Sequence, residues 1–376
     1  MSTTMPSVVV IGGGIAGVAA GYYLARAGCQ VTLVEKESVL AYHSTGRSAA
    51  LFFEDYGARA IRPLTRASRS FFDNPPPGLA DVGFLERRGA MWIGRADQQG
   101  SLERELVEAG PNAQNLSPAA AIALVPVLSP DLAWAIYVPD ALDLDVAAIH
   151  QAFVRGMRRE GANILVSSPA MGLTRHQSSW LTTTPGATYV SDVVVDAAGA
   201  WGDEVAALAG VEPVGLDPRR RTAFMVPGDI AYAHWPLVAD VDNLFYFRPD
   251  GTQILCSLAD ETPMPPGDAQ PEPLDIALAI ERINAATTLG IETVRSAWAG
   301  LRTFVADRAM VIGFDRQQPG FFWLVGQGGT GIQTAPAAGE LTAALVTGRA
   351  PPPIQVDAGL VLDALSPDRL RGSGSD

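Results

Sequence analysis

VVVIGGGIAGVAAGYYLARAGCQVTLVEKE, residues 8–37, contains a strand, a glycine turn, a helix, a second strand and an acid. Val8 to Ile11 reads as a buried strand and Val31 to Val34 as its parallel neighbour. Between them Ala16, Ala19, Ala20, Tyr23, Leu24 and Ala27 recur at the spacing of one helical face, and Gly28 stands where that helix would stop. Gly12 permits the tight turn, Gly14 lets a pyrophosphate approach the backbone, and Gly17 lets the helix pack close to the sheet. The helix N-terminus then faces the phosphate charge. Glu35 ends the second strand where a carboxylate can accept hydrogen bonds from a ribose. The run therefore predicts a bound dinucleotide, and it fits NAD and FAD alike.

The chain has 376 residues, 48% of them hydrophobic, enough for one large domain or two intimately joined ones. Its formal net charge of −13, with no basic run beyond Arg219 to Arg221, argues against a nucleic-acid partner. Cys29 and Cys256 match no metal or redox spacing and read as small buried hydrophobes, without support for a disulfide. The histidines form no HxH or HExxH pattern, so no metal site is expected. Val8 to Leu24 is apolar, but it lacks the basic leader of a signal peptide and its glycines belong to the turn. No other window approaches the apolar length of a membrane span, so the expectation is a soluble cytoplasmic protein acting on a small molecule.

After the opening unit, AYHSTGRSAA (41–50) reads as a polar loop, and a helix is predicted near 58–72, ended by NPPPG at 74–78. GAMWIG (89–94) reads as a strand, 101–109 and 144–162 as helices, and NILVSS (163–168) as a strand rejoining the parallel sheet. VVVDAAGAW (193–201) is a buried strand ending in residues too small to block a ligand. From 222 to 258 the pattern is mostly strands, with PDG at 249–251 as a hairpin signal. A helix over 274–290 and strands at 309–313 and 320–325 follow. Pro336 fits a helix's first turn, so the last helix is expected to start near Gln333. That leaves Gly328 to Gly331 as an open loop whose N–H groups face an electron-rich atom.

GGGIAG with Glu35, YHSTGRSAA (42–50), SRSFFDNPP (68–76), DAAGAW (196–201), RRRTAF (219–224), LFYFRPDG (244–251), WAGLRTFVAD (298–307) and QGGTGIQT (327–334) together resemble the FAD-dependent D-amino-acid oxidase superfamily. Within it the chain is most similar to the bacterial flavin-dependent D-arginine dehydrogenases. The resemblance implies a mixed α/β and α+β fold. A discontinuous Rossmann-like FAD-binding domain (1–80, 140–218, 300–370) would pack against a substrate domain (81–139, 219–299) built on a mainly antiparallel sheet. Residues 371–376 would be a flexible tail. One hydride-accepting flavin and no nicotinamide is implied, in keeping with a single GxGxxG.

Flavin contacts are implied for Gly12, Gly14, Ile15, Ala16 and Gly17 in the turn and for Glu35 and Lys36 after the second strand. In the polar loop they fall on His43, Ser44, Thr45, Arg47, Ser48, Ala49 and Ala50. Further along they fall on Ala170, Ala198, Gly199, Trp201, Gly300, Gly328, Gly331 and Ile332. Several relatives attach flavin through a cysteine near the C-terminus; neither cysteine lies there, so FAD is expected to be non-covalent.

Oxidising an α-amino acid requires a gripped carboxylate, a Cα–H aimed at the flavin, and a neutral amine whose lone pair expels the hydride. A planar guanidinium suits a carboxylate. Arg302 matches the family's carboxylate arginine and Arg221 a second one, while Tyr56 and Tyr246 match phenols of the same site. The carbonyl of Gly329 is the implied partner of the amine, and solvent takes the amine proton.

Three positions depart from the D-arginine dehydrogenases: Ala90 replaces the glutamate that receives the guanidinium, and Leu51 and Phe53 replace a histidine and a threonine. A cationic side chain would lose its counter-charge there, so apolar or bulkier amines are expected to be preferred over arginine and lysine. Glu54 and Asp55 are nearby acids that could substitute for the lost glutamate, though exposure on their loop is the expected role. The expected reaction oxidises a D-amino acid to an imino acid, which hydrolyses to a 2-oxo acid and ammonia. Oxygen, a quinone or another carrier would then reoxidise the flavin. The alternatives are an N-alkyl or cyclic amino acid as substrate, a 2-hydroxy acid with His43 as base, and a non-catalytic flavin-binding role.

Overall fold

The computed structural model describes residues 5–371. Two sheets dominate it. The first has six strands in the order Val311–Phe314, Phe321–Val325, Val193–Asp196, Ser7–Ile11, Gln30–Val34 and Asn163–Leu165. All neighbours are parallel except the edge strand Val311–Phe314. Runs such as Val8–Ile11 and Phe321–Val325 are buried on both faces, as a covered parallel sheet requires. One face packs against the helices Ile15–Arg26, Val146–Arg159 and Gly331–Val346. The other packs against Trp180 and Leu173 from a small antiparallel sheet and against the short helix Gly202–Leu208.

The first helix, Ile15–Arg26, ends as its sequence predicts, with Gly28 at φ +93. Its burial differs from a single stripe. Val18, Ala19, Ala20, Gly21, Tyr22, Leu24 and Ala25 are all buried, whereas Ala16, Tyr23 and Ala27 are only partly so. Two helices and a sheet cover most of it, and only the edge carrying Ala16, Tyr23, Arg26 and Ala27 keeps some contact with water.

Several helix boundaries differ from the sequence reading: the helix expected over 274–290 ends at Ala286, and that over 144–162 is Val146–Arg159. The second helix is Arg62–Asp73, because Pro63 sets its start. The last one begins at Gly331, two residues before Gln333, and Pro336 lies beyond its first turn. The helix tolerates the missing donor because the ladder is already diverted there: the Ala337 N–H donates to Ser68 Oγ at 3.1 Å.

The second sheet has nine strands. Eight run in the order Thr262–Pro263, Asp217–Pro227, Gln253–Ser257, Tyr246–Asp250, Leu237–Asp240, Ala90–Gly94, Trp134–Val138 and Gln114–Leu116, and Ser296–Phe304 pairs with Asp217–Pro227. It is antiparallel except between Leu237–Asp240 and Ala90–Gly94. Register places Trp92, Ala239, Tyr246, Ser257, Ala223 and Trp298 in one row across one face. The Arg221–Gly300 and Arg219–Arg302 pairs continue that face. The opposite face carries Met91, Val238, Phe247, Cys256 and Phe224 and packs on the helices Pro118–Leu124 and Pro273–Ala286.

Domain cuts at 219 and 300 would fall inside the paired strands Asp217–Pro227 and Ser296–Phe304. We propose that they belong before Asp217 and after Phe304. Of the expected tail, Arg371 is held by the Asp315 carboxylate and the Glu212 carbonyl, and 372–376 lie outside the described residues. Among the described residues no helix is long and apolar enough to cross a membrane.

Candidate active site

The glycine turn is built by close approach. Gly12 has φ +112, where a side chain is strained, and a Cβ on it would strike the Ala197 carbonyl. A Cβ on Gly17 would strike the Gly12 carbonyl, so Gly17 sits beneath the turn and is absent from the cleft surface. Gly14, Ile15 and Ala16 line the cleft. The Ile15 N–H donates to Thr45 Oγ1 at 3.0 Å, so the polar loop caps the helix that Gly14 cannot. Glu35 braces the same turn: its carboxylate accepts from Gly13 N at 2.7 Å and from Glu37 N at 2.8 Å. A carboxylate offers about four acceptor positions, so two remain for ribose hydroxyls.

His150 is a residue that sequence reasoning missed. Its Nε2 lies 3.0 Å from the Gly13 carbonyl, which can only accept, so the ring donates. Burial lowers its pKa, outweighing the opposing hydrogen bond to Gly13. A histidine 137 residues away on another helix leaves no local signal. It carries a pH prediction. A depressed pKa means the unfolded chain binds the proton more readily. His150 therefore contributes stability above its ordinary value of 6.5 and loses it as pH falls below 6.5 toward the folded pKa. His150→Gln keeps a donor without titrating, and its Tm is expected to fall less over that acidic window than that of the wild type. A parallel decline of both Tm curves would refute the assignment.

At the same end of the cleft, Lys36 Nζ stands 3.3 Å from the Trp201 ring centroid, and the His43 ring lies 4.6 Å from it. His43 Nε2 pairs with Glu37 at 2.9 Å while its Nδ1 is buried without a partner. Nothing would lie within 4 Å of a Cβ on Gly199. Open backbone and an unpartnered ring nitrogen fit a dinucleotide lying in this cleft.

Ser44 and Arg47 line the cleft but are also fastened elsewhere: Ser44 Oγ donates to the Leu301 carbonyl at 2.6 Å. The Arg47 guanidinium donates to the Ala269 and Ala299 carbonyls and to Asp268. It staples the polar loop to the Ser296–Phe304 strand, where the Trp298 indole returns a bond to the Arg47 carbonyl. Ser48, Ala49, Ala50, Ala170, Ala198, Gly300, Gly328, Gly331 and Ile332 complete the lining predicted for the cofactor.

The same cleft is lined at its other end by Tyr56, Arg221, Tyr246, Arg302 and Gly329, with Leu51, Phe53 and Ala90. Arg302 lies 3.5 Å from the Tyr56 hydroxyl. Burial works against its charge, but Tyr56, Tyr246 and Glu261 outweigh it, leaving Arg302 above its ordinary pKa. Arg221 is pulled down, first by burial and then by Arg302 beside it. Its Nε donates to the Asp260 carbonyl at 2.7 Å. Strand alternation explains the fate of the RRR run: Arg220 points to the other face and pairs with Asp275 at 2.6 Å and Glu272 at 3.2 Å.

A Cβ on Gly329 would lie 3.1 Å from the Tyr56 hydroxyl and 3.3 Å from Arg302, so only glycine lets that loop lie against the arginine without crowding it. Glu54 and Asp55 do not line the cleft; both turn toward Arg66, with Asp55 at 2.8 Å. No carboxylate lines this end of the cleft among the described residues, the lining acids being Glu35 and Glu204. Trp92, Ala223, Leu237 and Ala239 also face it, and Trp92 meets Phe53 with ring centroids 5.7 Å apart. The cysteines are free, buried and away from the lining.

The model of a family described as FAD dependent oxidoreductase matches residues 7–345. The chain is 26% identical to a glycine oxidase of Bacillus licheniformis over 356 residues, covering 90% of this chain and 92% of that protein. It is 23% identical to human mitochondrial dimethylglycine dehydrogenase, over 66% of this chain and 30% of that one. In structure it is similar to the L-proline dehydrogenase from P. horikoshii, with TM-score 0.84, 21% identity and 97% of each chain covered. Glycine oxidase from Geobacillus kaustophilus superposes with TM-score 0.82 and 22% identity, over 93% of this chain and 96% of that one. Because the family match runs from the first strand into the last long helix, the chain belongs to the DAO family of FAD-dependent oxidoreductases, and its cofactor is FAD.

Proposed function

We propose that the protein oxidises the Cα–N bond of a D-amino acid with an uncharged side chain, giving an imino acid that hydrolyses to a 2-oxo acid and ammonia. The observation that carries this reading is the Arg221–Arg302 pair at an end of the cleft that no acid lines among the described residues. Two guanidiniums without a lining counter-charge favour an anionic group, and a carboxylate fits the planar fork. Ala90, Leu237, Ala239 and the Phe53–Trp92 pair offer a cationic side chain no partner, so arginine and lysine are disfavoured.

In this reading the glycine turn, Glu35 and Trp201 hold the adenosine and phosphates. FAD, when bound non-covalently, supplies the two-electron acceptor. The chain's own groups do the rest. Arg302 and Arg221 fix the carboxylate, the Gly329 carbonyl accepts a hydrogen bond from the amine, and the apolar wall excludes water around Cα. With no acid or histidine lining the substrate end among the described residues, solvent takes the amine proton.

A second reading, oxidation of an N-alkyl or cyclic amino acid, is supported about equally. The arginine pair suits it as well, and the chain is similar to proteins named dimethylglycine dehydrogenase and L-proline dehydrogenase. A 2-hydroxy acid fits less well, because His43, the base it would use, lies at the dinucleotide end of the cleft beside Lys36 and Trp201. The test is anaerobic bleaching of the flavin absorbance by a panel of D-amino acids, N-methyl amino acids and 2-hydroxy acids. Reduction by apolar D-amino acids with release of ammonia is expected. Alkylamine release would favour the second reading, and D-arginine as best substrate would overturn the side-chain assignment.

A further inference from the structure

Two guanidiniums kept for a substrate's carboxylate must also be kept from the acids of their own chain. The nearest threat is Glu261, which stands behind Arg221 and outside the cleft lining. Its Oε1 lies 3.4 Å from Arg221 NH2, at the long limit of a hydrogen bond. Arg308 holds the same carboxylate from the other side, with NH2 2.9 Å from Oε1 and NH1 3.1 Å from Oε2. That two-point grip is the stronger geometry.

Arg308 is itself fixed in place. Its guanidinium carbon lies 3.7 Å from the Phe304 ring centroid, a cation–π stack. Its backbone has φ +60, a left-handed conformation that favours glycine or asparagine, and its N–H closes a turn on the Val305 carbonyl at 2.9 Å. A strained arginine where glycine would be easier points to a side chain kept for a purpose.

We propose that Arg308 is a positioning residue that holds Glu261 away from Arg221 and so leaves the Arg221–Arg302 pair free for the substrate's carboxylate. The inference rests on the reading that those arginines take that carboxylate. Without Arg308, Glu261 has Arg221 beside it as its remaining guanidinium partner and Arg302 close behind. It would close on them and compete with the substrate from within the chain. The loss therefore appears in binding and KM, with kcat preserved once substrate is in place.

The test uses the FAD-loaded enzyme and 2-aminoisobutyrate, which carries the carboxylate and amine but no Cα–H to lose. Binding is read from the absorbance of the bound flavin, and KM and kcat with the best oxidised amine. Arg308→Gly suits the backbone at that position and is expected to weaken binding about tenfold, with KM rising in parallel. Glu261→Gln should bind as tightly as the wild type or more tightly. The double variant Arg308→Gly/Glu261→Gln should recover wild-type affinity to within about threefold, because the competitor is gone along with its restraint. Unchanged binding in Arg308→Gly, or a double variant as weak as that single one, overturns the proposal. A merely structural role for Arg308 predicts the latter. Arg302→Lys separates the two layers of argument. If it binds the probe as the wild type does, the carboxylate reading itself fails. If it weakens binding while Arg308→Gly does not, only the role of Arg308 fails.

Discussion

Arg302→Met is expected to lower kcat/KM for every carboxylate-bearing amine by about a thousandfold, roughly 4 kcal/mol, while the flavin stays bound. Arg302 is the freer of the two cleft arginines. Its guanidinium meets the Tyr56 hydroxyl at 3.5 Å, whereas Arg221 spends Nε on the Asp260 carbonyl and leans toward Glu261. Arg302 therefore has its fork available for a carboxylate, and losing it leaves a buried anion facing a single, partly committed guanidinium. Lysine should rescue little, since a point charge cannot reproduce the two parallel bonds. The fold should not suffer. Removing one of two neighbouring cations relieves the repulsion that helps to pull Arg221 down, so Tm without substrate is expected to be unchanged or slightly higher. Steady-state kinetics with flavin absorbance and Tm as controls decide the matter. A loss of less than tenfold with FAD in place would remove Arg302 from substrate binding.

How much of this was legible in the sequence depends on the range of the forces involved. The strand–turn–helix–strand opening was legible because its determinants are local: a period of 3.6, a positive-φ glycine and continuous apolar strand runs. The sheet's other strands, read at 163–168, 309–313 and 320–325, were legible as short apolar runs as well. Pro336 was placed two positions too early in its helix, because Ser68, which takes the Ala337 N–H, is 269 residues away. The Arg220–Arg221 distinction follows from strand alternation, but alternation says only that the two point apart and leaves open which faces the cleft. The resemblance settled that choice for Arg221, and the sheet register agrees with it. Trp92 lay in a recognisable strand and Ala239 in a stretch read only as mostly strands, and neither stretch signals by itself that its face meets the cleft. His150, Glu261 and Arg308 act through contacts made only when distant strands and helices assemble. No spacing rule could find them.

Gly12→Ala is expected to have the second large effect, on the cofactor itself. Two independent penalties coincide there: φ is +112, and the new Cβ would meet the Ala197 carbonyl, backbone that cannot swing aside. Ala197 opens the loop that carries Ala198, Gly199 and Trp201 into the cleft, so relieving the clash moves two walls of the dinucleotide site at once. Together the strain and displacement should cost about 3 kcal/mol or more of stability and weaken FAD binding about a hundredfold or more. Gly14→Ala provides the contrast. Gly14 has φ −74, and the nearest atom to its missing Cβ is the Thr45 hydroxyl at 3.3 Å. The fold should accept that methyl, yet Gly14 lines the cleft where the phosphates would pass. Its apoprotein Tm should thus stay near wild type while FAD affinity falls. Apoprotein melting and FAD titration separate the two glycines. If Gly12→Ala kept wild-type stability and affinity, the turn would be looser than its contacts imply, and the close approach of strand, helix and loop would no longer explain why glycine stands there.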